Sequence, residues 1–556
     1  MKRLFTFLLF LICTTGAFAQ QYELKIKGAS ERETAIIDSI GYPSVVENAK
    51  TAATHAKSLS ANLEKAGFIA NSYREQPKPN DSTFLYHFNL GDRTHFLHIY
   101  IGNDSELKEL GIVAADNDTI KLPFTQTETF LNRTLALLEA KGYSLATLKL
   151  VNISKNGTNL TAGLSANLGT KRQLNDIVIS GYDKFPKGHL KNIKRMYRNK
   201  TFNQQTLRKL QGDFDKFRFV SQTKYPEILF TTDTTKVYVY LEKAKPNRFD
   251  GFIGFSNDEE AQKLIFTGYL DLMLVNIMNS GEEFTLYWKS DGNEQKTFNA
   301  GIDLPYIFKT PFGVKAGLNI FKQDSTFQNT RTTFDVGYFF NYNTRVYLGY
   351  QATESSDIQN QNNFSINDFK NTFLTSSFEY TDYRVDDFLF PEKSAATIRL
   401  GVGKREANLS TNNQLFAEIN LAHNLYLNEK NILNIRSENY FLNSDEFIIN
   451  ELYRFGGINS VRGFNENSLQ ANFLSSLLTE YRYVLAQNLY LHSIIDYGYF
   501  RDESSDNSGG LLGIGFGFGL LTKNGLLNLV YANGSTDDQS IKLSNSIVHI
   551  SFKASF

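Results

Sequence analysis

From Arg248 to the end of the chain, apolar and polar residues alternate with a period of two, and few folds can accommodate that pattern. Phe298, Ala300, Ile302 and Leu304 alternate with Asn299, Gly301 and Asp303. Phe334, Val336, Tyr338 and Phe340 alternate with Asp335 and Gly337, and Val346, Leu348 and Tyr350 with Arg345 and Gln351. Leu415, Ala417, Ile419 and Leu421 alternate with Glu418 and Asn420. Successive side chains on a strand point to opposite faces, so each segment has one apolar, aromatic face and one face of charges, amides and glycine. About 16 such segments fit between Arg248 and Phe556, roughly 19 residues each with its connection, which suits strands that cross a bilayer. A soluble sandwich alternates too, so no single segment decides. The even count in a chain addressed for secretion points to a transmembrane barrel with lipid outside and a wet lumen.

The secretion address lies at the N-terminus. Lys2 and Arg3 precede an apolar stretch from Leu4 to Cys13, and Ala17-Phe18-Ala19 offers a cleavage site before Gln20. Residues 1–19 are therefore expected to be a signal peptide. Ile12 stands where lipid attachment at Cys13 would require a small residue, so Cys13 belongs to the discarded signal. It is the one cysteine, which leaves the mature chain without a disulfide framework. Lys plus Arg equals Asp plus Glu at 58 each, so no global charge recruits nucleic acid. No later segment approaches the roughly 20 apolar residues of a membrane helix. Aromatic residues reach 14%, with 46 Phe and 29 Tyr against one Trp, which suits a large β protein.

Before Lys245-Pro246 the patterning is different: helix and strand signals alternate in repeats. Val46, Ala49, Ala53, Ala56, Leu59 and Leu63 have helical spacing over Val45 to Ala66, closed by Gly67, with a strand expected from Phe68-Ile69. The phrase returns at Phe130 to Gly142, where Glu139-Ala140-Lys141-Gly142-Tyr143 matches Glu64-Lys65-Ala66-Gly67-Phe68. Strands are expected at Tyr22–Gly28, Ser82–Leu90, His95–Gly102, Leu148–Ile153 and Asn159–Leu168. A third unit spans Leu174 to Glu242, with strands at Ile177–Ile179 and Lys236–Leu241 and helices near Lys187–Tyr197 and Gln204–Phe217. The boundaries read as 20–91, 92–169 and 170–244 for the three repeats, and 245–556 for the barrel.

Two local features refine the barrel. Its last strand places Val548, Ile550, Phe552, Ala554 and Phe556 on one face and His549, Ser551, Lys553 and Ser555 on the other. Between the eleventh and twelfth strands lies Gly456-Gly457-Ile458-Asn459-Ser460-Val461-Arg462-Gly463-Phe464, richer in glycine than any turn requires.

Repeats of about 75 residues in strand–helix–helix–strand–strand order resemble POTRA domains. Followed by such a barrel and a Val461-Arg462-Gly463-Phe464 loop, they resemble the BamA/TamA superfamily of outer-membrane proteins. The resemblance covers nearly the whole mature chain. It implies that the loop folds back into the barrel and that Arg462 pairs with Glu480 and Asp496 on the inner wall of the next strands. A planar guanidinium can hold two carboxylates, as a lysine could not. Gly463 permits a tight backbone and Phe464 can pack on the wall. The outward aromatics Phe552 and Phe556 resemble a C-terminal barrel-recognition signal.

The resemblance further implies a protein of the bacterial outer membrane with its repeats in the periplasm, assembling or translocating clients through POTRA capture and a lateral barrel seam. Clients would be outer-membrane or secreted proteins, and outer-membrane lipid would surround the barrel. Three repeats are closer to the TamA layout than to BamA, implying a periplasmic partner of the TamB kind. A two-partner-type secretion pore and a passive porin with a periplasmic extension are the alternatives. Nothing calls for a cofactor, a metal or enzymatic activity. Gly513, Gly515, Gly517 and Gly519 line one face of a strand and have no following helix, so they suit room for the loop rather than a dinucleotide. His95 and His98 point to opposite faces and make a poor metal pair. The helix near Lys187–Lys200 is basic, through Lys191, Lys194, Arg195, Arg198 and Lys200.

Overall fold

The computed structural model describes residues 22–102, 107–108, 118–258, 263–291, 295–359, 365–384, 387, 389–407, 410–523, 525–537, 541–542 and 546–555. The expected signal at 1–19, with Cys13, and the terminal Phe556 lie outside the described residues. The chain forms two units, one running to Gln173 with Thr201–Gln205, the other comprising Leu174–Lys200 and Thr206–Phe556.

The first unit holds two repeats. In the first, β1 (Tyr22–Gly28), α1 (Glu31–Ile40), β2 (Val45–Val46), α2 (Ala49–Lys65), β3 (Ser72–Gln76) and β4 (Thr83–Asn89) build a sheet of order β2-β1-β4-β3, with β1 parallel to β4. The second has β5 (Phe96–Tyr100), β6 (Thr119–Pro123), α3 (Thr127–Ala140), β7 (Thr147–Asn156) and β8 (Asn159–Asn167) in the equivalent order β6-β5-β8-β7.

The matching Gly67 and Gly142 explain why the phrase recurs. Both residues take left-handed φ, +103° and +102°. The amides that follow α2 turn back onto its last carbonyls: Gly67 donates to Glu64 O (3.0 Å) and Phe68 to Leu63 O (2.9 Å). After α3, Gly142 donates to Glu139 O (2.8 Å) and Tyr143 to Leu138 O (3.0 Å). These bonds satisfy orphan helix carbonyls and need a residue without a Cβ penalty. The sequence expectation errs at the ends of α2. Asn48 accepts from Thr51 N–H (2.9 Å) and starts the helix after Val45–Val46, which pair with β1 instead. Phe68-Ile69 forms part of the turn, and the strand begins at Ser72. The short α1 is capped by Ser30, whose Oγ accepts from Glu33 N–H (3.2 Å).

β9 (Asp176–Ser180), α4 (Lys187–Tyr197), α5 (Gln204–Asp215), β10 (Val220–Phe230) and β11 (Thr235–Lys243) form the third repeat, with strand order β10-β11-β9, and all but the first two residues of α5 belong to the second unit. The barrel follows, with β12 (Arg248–Asp258), β13 (Lys263–Val275), β14 (Glu283–Asp291), β15 (Gln295–Leu304), β16 (Phe312–Gln323) and β17 (Phe327–Asn341). Next come β18 (Thr344–Asp357), β19 (Phe369–Tyr383), β20 (Glu392–Ala407), β21 (Thr411–Tyr426) and β22 (Asn431–Asn443). After a loop hairpin, β23 (Tyr453–Phe455) with β24 (Leu469–Ala471), the wall resumes with β25 (Phe473–Ala486), β26 (Leu489–Asp502), β27 (Asn507–Thr522), β28 (Gly525–Thr536) and β29 (Ile547–Ser555).

The barrel is closed and has 16 strands in sequence order, the architecture that alternation without membrane helices implies. On β26 the alternation can be read directly: Leu491, Ile495, Tyr497 and Tyr499 are exposed outward, while His492, Ile494, Asp496 and Phe500 are buried inward. Closure is uneven. β12 pairs with β29 only at Arg248↔Ser555 and Phe249↔Ala554, whereas β12 pairs with β13 at eleven positions from Arg248 to Asp258.

The third repeat is built onto the near end of the barrel, where β12 begins. His189 of α4 is fully buried against the rings of Tyr306 (4.8 Å), Phe217 (5.2 Å), Phe219 (5.3 Å) and Tyr342 (5.4 Å). Burial, aided by the Arg345 charge, pushes its imidazole pKa down to about 3, so it sits there neutral. Asn192 Nδ2 donates to Thr310 O (3.0 Å) and Asn276 Nδ2 to Tyr182 Oη (3.0 Å). Arg218 pairs with Glu283 at 3.1 Å.

Candidate functional site

The loop from 444 to 472 leaves the far end of β22, turns inward and enters the lumen. Gly456 and Gly457, at φ +99° and +107°, make the reversal that a side chain at those angles would strain. Val461 and Arg462 are buried at 0% and 1% exposure, so the loop tip is enclosed by the wall.

Arg462 occupies the centre. Its Nε donates to Asp496 Oδ2 (2.7 Å) and one terminal nitrogen to Asp496 Oδ1 (2.5 Å), a bidentate pair. The backbone N–H of Arg462 adds a third bond to Asp496 Oδ2 (3.0 Å). The other terminal nitrogen pairs with Glu480 Oε1. Glu480 Oε2 is in turn held by Arg482 Nε (2.7 Å), and Asp496 Oδ1 accepts from Thr479 N–H (3.2 Å). Glu480 lies on β25 and Asp496 on β26, so one side chain ties the loop to two neighbouring strands. Such buried charges are stable only while all are paired and hydrogen-bonded.

Gly463 and Phe464 seat the tip on a third strand, β28. Gly463 has φ +89°, and a Cβ there would lie 2.3 Å from both Asn533 C and Gly534 N. Gly534 reciprocates: its Cβ would meet Gly463 O at 2.6 Å and the Phe464 ring at 2.8 Å. Gly463→Ala is therefore expected to lift the tip off β28, through left-handed strain of about 1–3 kcal/mol added to the clash. Limited proteolysis of the folded protein would show faster cleavage within 456–468. An unchanged cleavage rate would refute the tight seat.

The glycine row on β27 divides its work. Gly513 leaves room for the loop, since a Cβ would stand 2.3 Å from Arg462 O. Gly517 and Gly519 instead accommodate the rings of His492 and Tyr490, and Gly515 faces the β28 backbone. Phe552 pairs with Leu527 on β28, and Val548 and Ile550 beside it are exposed outward.

A second anchor escaped the sequence reading. At the loop entrance a 3-10 turn, Ile449–Glu451, buries Asn450 and Glu451. Glu451 pairs with the fully buried Arg405 of β20 and accepts from Gln414 Nε2 (2.8 Å) and Ile448 N–H (3.1 Å). Asn450 Nδ2 donates to Ser355 Oγ (2.7 Å) and Asn367 O (2.8 Å), while Asn450 O accepts from Asn329 Nδ2 (2.6 Å). Arg405 shares the parity of Gly401 and Gly403, so its inward placement was available in the alternation. Its partner Glu451, five residues before Gly456, was not.

Below the loop the lumen is lined with ion pairs. Arg345–Asp303 (2.6 Å), Lys315–Glu379 (2.5 Å) and Arg399–Asp335 (3.3 Å) surround a cavity of about 350 Å³ at the near end. Across the barrel, Lys289 of β14 reaches Glu466 of the loop at 2.6 Å. The arrangement holds a plugged, polar lumen, with the loop pinned to the walls on several sides.

Comparison with known proteins bears on the barrel. Residues 276–544 match the Omp85 superfamily domain. CdiB from Acinetobacter baumannii has a similar structure, with TM-score 0.51 and 14% identity, over 83% of this chain and 90% of that one. CdiB from Escherichia coli gives TM-score 0.50 and 14% identity over 94% and 98%. BamA from Haemophilus ducreyi lacking POTRA domains 1–3 gives 0.47 and 14% over 82% and 99%. No curated protein matches the chain. At such identity the likeness to the two CdiB structures is one of fold.

Proposed function

Residues 276–544 are an Omp85 superfamily domain, and on that premise we propose that this outer-membrane barrel assembles or translocates client proteins through POTRA capture and a lateral seam. The observation that carries the proposal is the seam itself, with two paired positions between β12 and β29 in a wall otherwise zipped along its strands. A client strand could add to the strand edges beyond those two pairs by backbone hydrogen bonding, the mode by which extended segments join an exposed sheet edge. The seam tolerates opening because so few ladder bonds must break.

The three small α/β domains that resemble POTRA domains, at 20–91, 92–169 and 170–244, would stand in the periplasm and receive clients. Short exposed edges such as β3 offer the same strand-pairing chemistry. Three repeats support a TamA-like layout with a TamB-like partner. Arg462, Glu480 and Asp496, with Val461, Gly463 and Phe464, act as an internal lock that holds the loop while the seam moves. None of these steps uses a catalytic group, a metal or a cofactor.

A secretion pore for one dedicated substrate would share this barrel, loop and repeats. Depletion in the native host followed by an outer-membrane proteome separates the two readings. A broad fall in barrel proteins is the expected result. Loss of a single secreted or surface protein would establish the dedicated pore, and an unchanged proteome would refute client handling altogether.

A further inference from the structure

An apolar cleft opens between the start of α4 and the turn joining β15 to β16, with a volume of about 1050 Å³. Leu304, Ile307, Phe308 and Val314 line it, and Lys184, Lys187 and Lys309 stand at its rim with one opposing charge, Asp183. The turn is held in an unusual shape: Tyr306, Phe308 and Lys309 all have left-handed φ, at +53°, +52° and +59°. Non-glycine residues stay in that region only where surrounding structure imposes it. Here Tyr306 is clamped by His189 (4.8 Å) and Phe339 (5.3 Å), and Asn192 holds the carbonyl of Thr310. The result is that Phe308 is 91% exposed. The next turn likewise leaves Ile277 and Met278 exposed.

The cleft continues the lipid-facing surface of the barrel. Leu304 pairs with Val314, and Val314 with the outward-facing Val336. Beside them Phe312, Tyr338 and Phe340 form an outward aromatic row, with centroids 5.6 and 5.2 Å apart. Such a row marks the membrane–water interface, and lysines just beyond it lie at the height of phosphate groups.

We propose that this cleft binds an anionic phospholipid of the leaflet facing the repeats, with its acyl chain against Phe308 and its phosphate on Lys184, Lys187 and Lys309. The site ties the third repeat and the barrel turn to one lipid, and it is independent of how clients are handled.

The test uses the full-length protein in phospholipid vesicles, with Trp288→Phe removing the single native tryptophan and Phe308→Trp placing a probe in the cleft. Vesicles carry the same minor fraction of either brominated phosphatidylglycerol or brominated phosphatidylcholine. Quenching by the anionic lipid is expected to exceed quenching by the zwitterionic one on the order of fivefold, and Lys184→Gln/Lys187→Gln/Lys309→Gln should bring the ratio to one. Heat-modifiable migration checks that each variant forms its barrel. Should the triple variant not fold, Asp183→Asn serves instead and should raise the ratio. Equal quenching by the two lipids in the parent would overturn the proposal. So would a ratio insensitive to these substitutions, or no quenching by either lipid, which would leave a protein segment as the occupant.

Discussion

Arg462→Ala is expected to free the loop from β25 and β26 and to abolish client assembly while the barrel still forms. The alanine would leave Asp496, at 0% exposure, and Glu480, at 8%, without their shared cation. Removing one partner of a buried ion pair costs about 3–5 kcal/mol, most of it the penalty of the stranded charge. Glu480 keeps Arg482, so the larger loss falls on Asp496, whose described cationic partner is Arg462. Two controls make the argument specific. Arg462→Lys preserves the charge but cannot span both carboxylates, and should recover only part of the anchoring. Arg462→Ala combined with Asp496→Ala should cost less than the sum of the single changes, because the second removes the stranded charge. Protease access to 456–468 reports the loop and heat-modifiable migration reports the barrel. Wild-type client assembly by a correctly expressed Arg462→Ala protein would remove the lock from the mechanism. The second anchor, Arg405–Glu451, should keep the loop entrance in place, so cleavage would appear at the tip before 449–451.

A covalent bridge across the seam should have an effect of comparable size. Phe249→Cys/Ala554→Cys places thiols on two residues that face each other across β12 and β29. The expected signal peptide contains the one natural cysteine, so the introduced pair would be alone in the mature chain. Oxidation is predicted to stop client assembly and reduction to restore it, with single-cysteine variants indifferent to either. The physical reason is the contrast in pairing. Opening the seam breaks two positions, whereas opening between β28 and β29 would break eight, from Gly525↔Ala554 to Ala532↔Ile547. A closed edge also cannot accept a new strand, since its amides and carbonyls are already bonded. Full client assembly by the oxidised double variant would mean that clients use another route.

Much of this architecture could be read from one dimension because it rests on local rules. Alternation with a period of two specifies a strand with an apolar face, and sixteen such strands leave a barrel as the structure that satisfies their edges in lipid. The matching Gly67 and Gly142 were legible because a left-handed helix end demands glycine wherever it occurs. The ends of α2 were less legible: Val45 and Val46 have helix-compatible spacing, and only their pairing with β1 decides otherwise.

The loop divides along the same line. Its glycines, its single arginine and the inward parity of Glu480 and Asp496 are sequence properties, and resemblance suggested the pairing. That Gly463 rests on β28, that Gly517 and Gly519 serve His492 and Tyr490, and that Glu451 meets Arg405 depend on which strands curve toward one another. Such contacts join positions far apart in the chain, and they are set by barrel radius, strand tilt and register, which no local pattern encodes. The sequence by itself therefore determined the strands, their faces and the charged loop. Tertiary structure alone decided the narrow seam, the second anchor and the clamped turn at Phe308, because each arises from packing between elements that a sequence window never brings together.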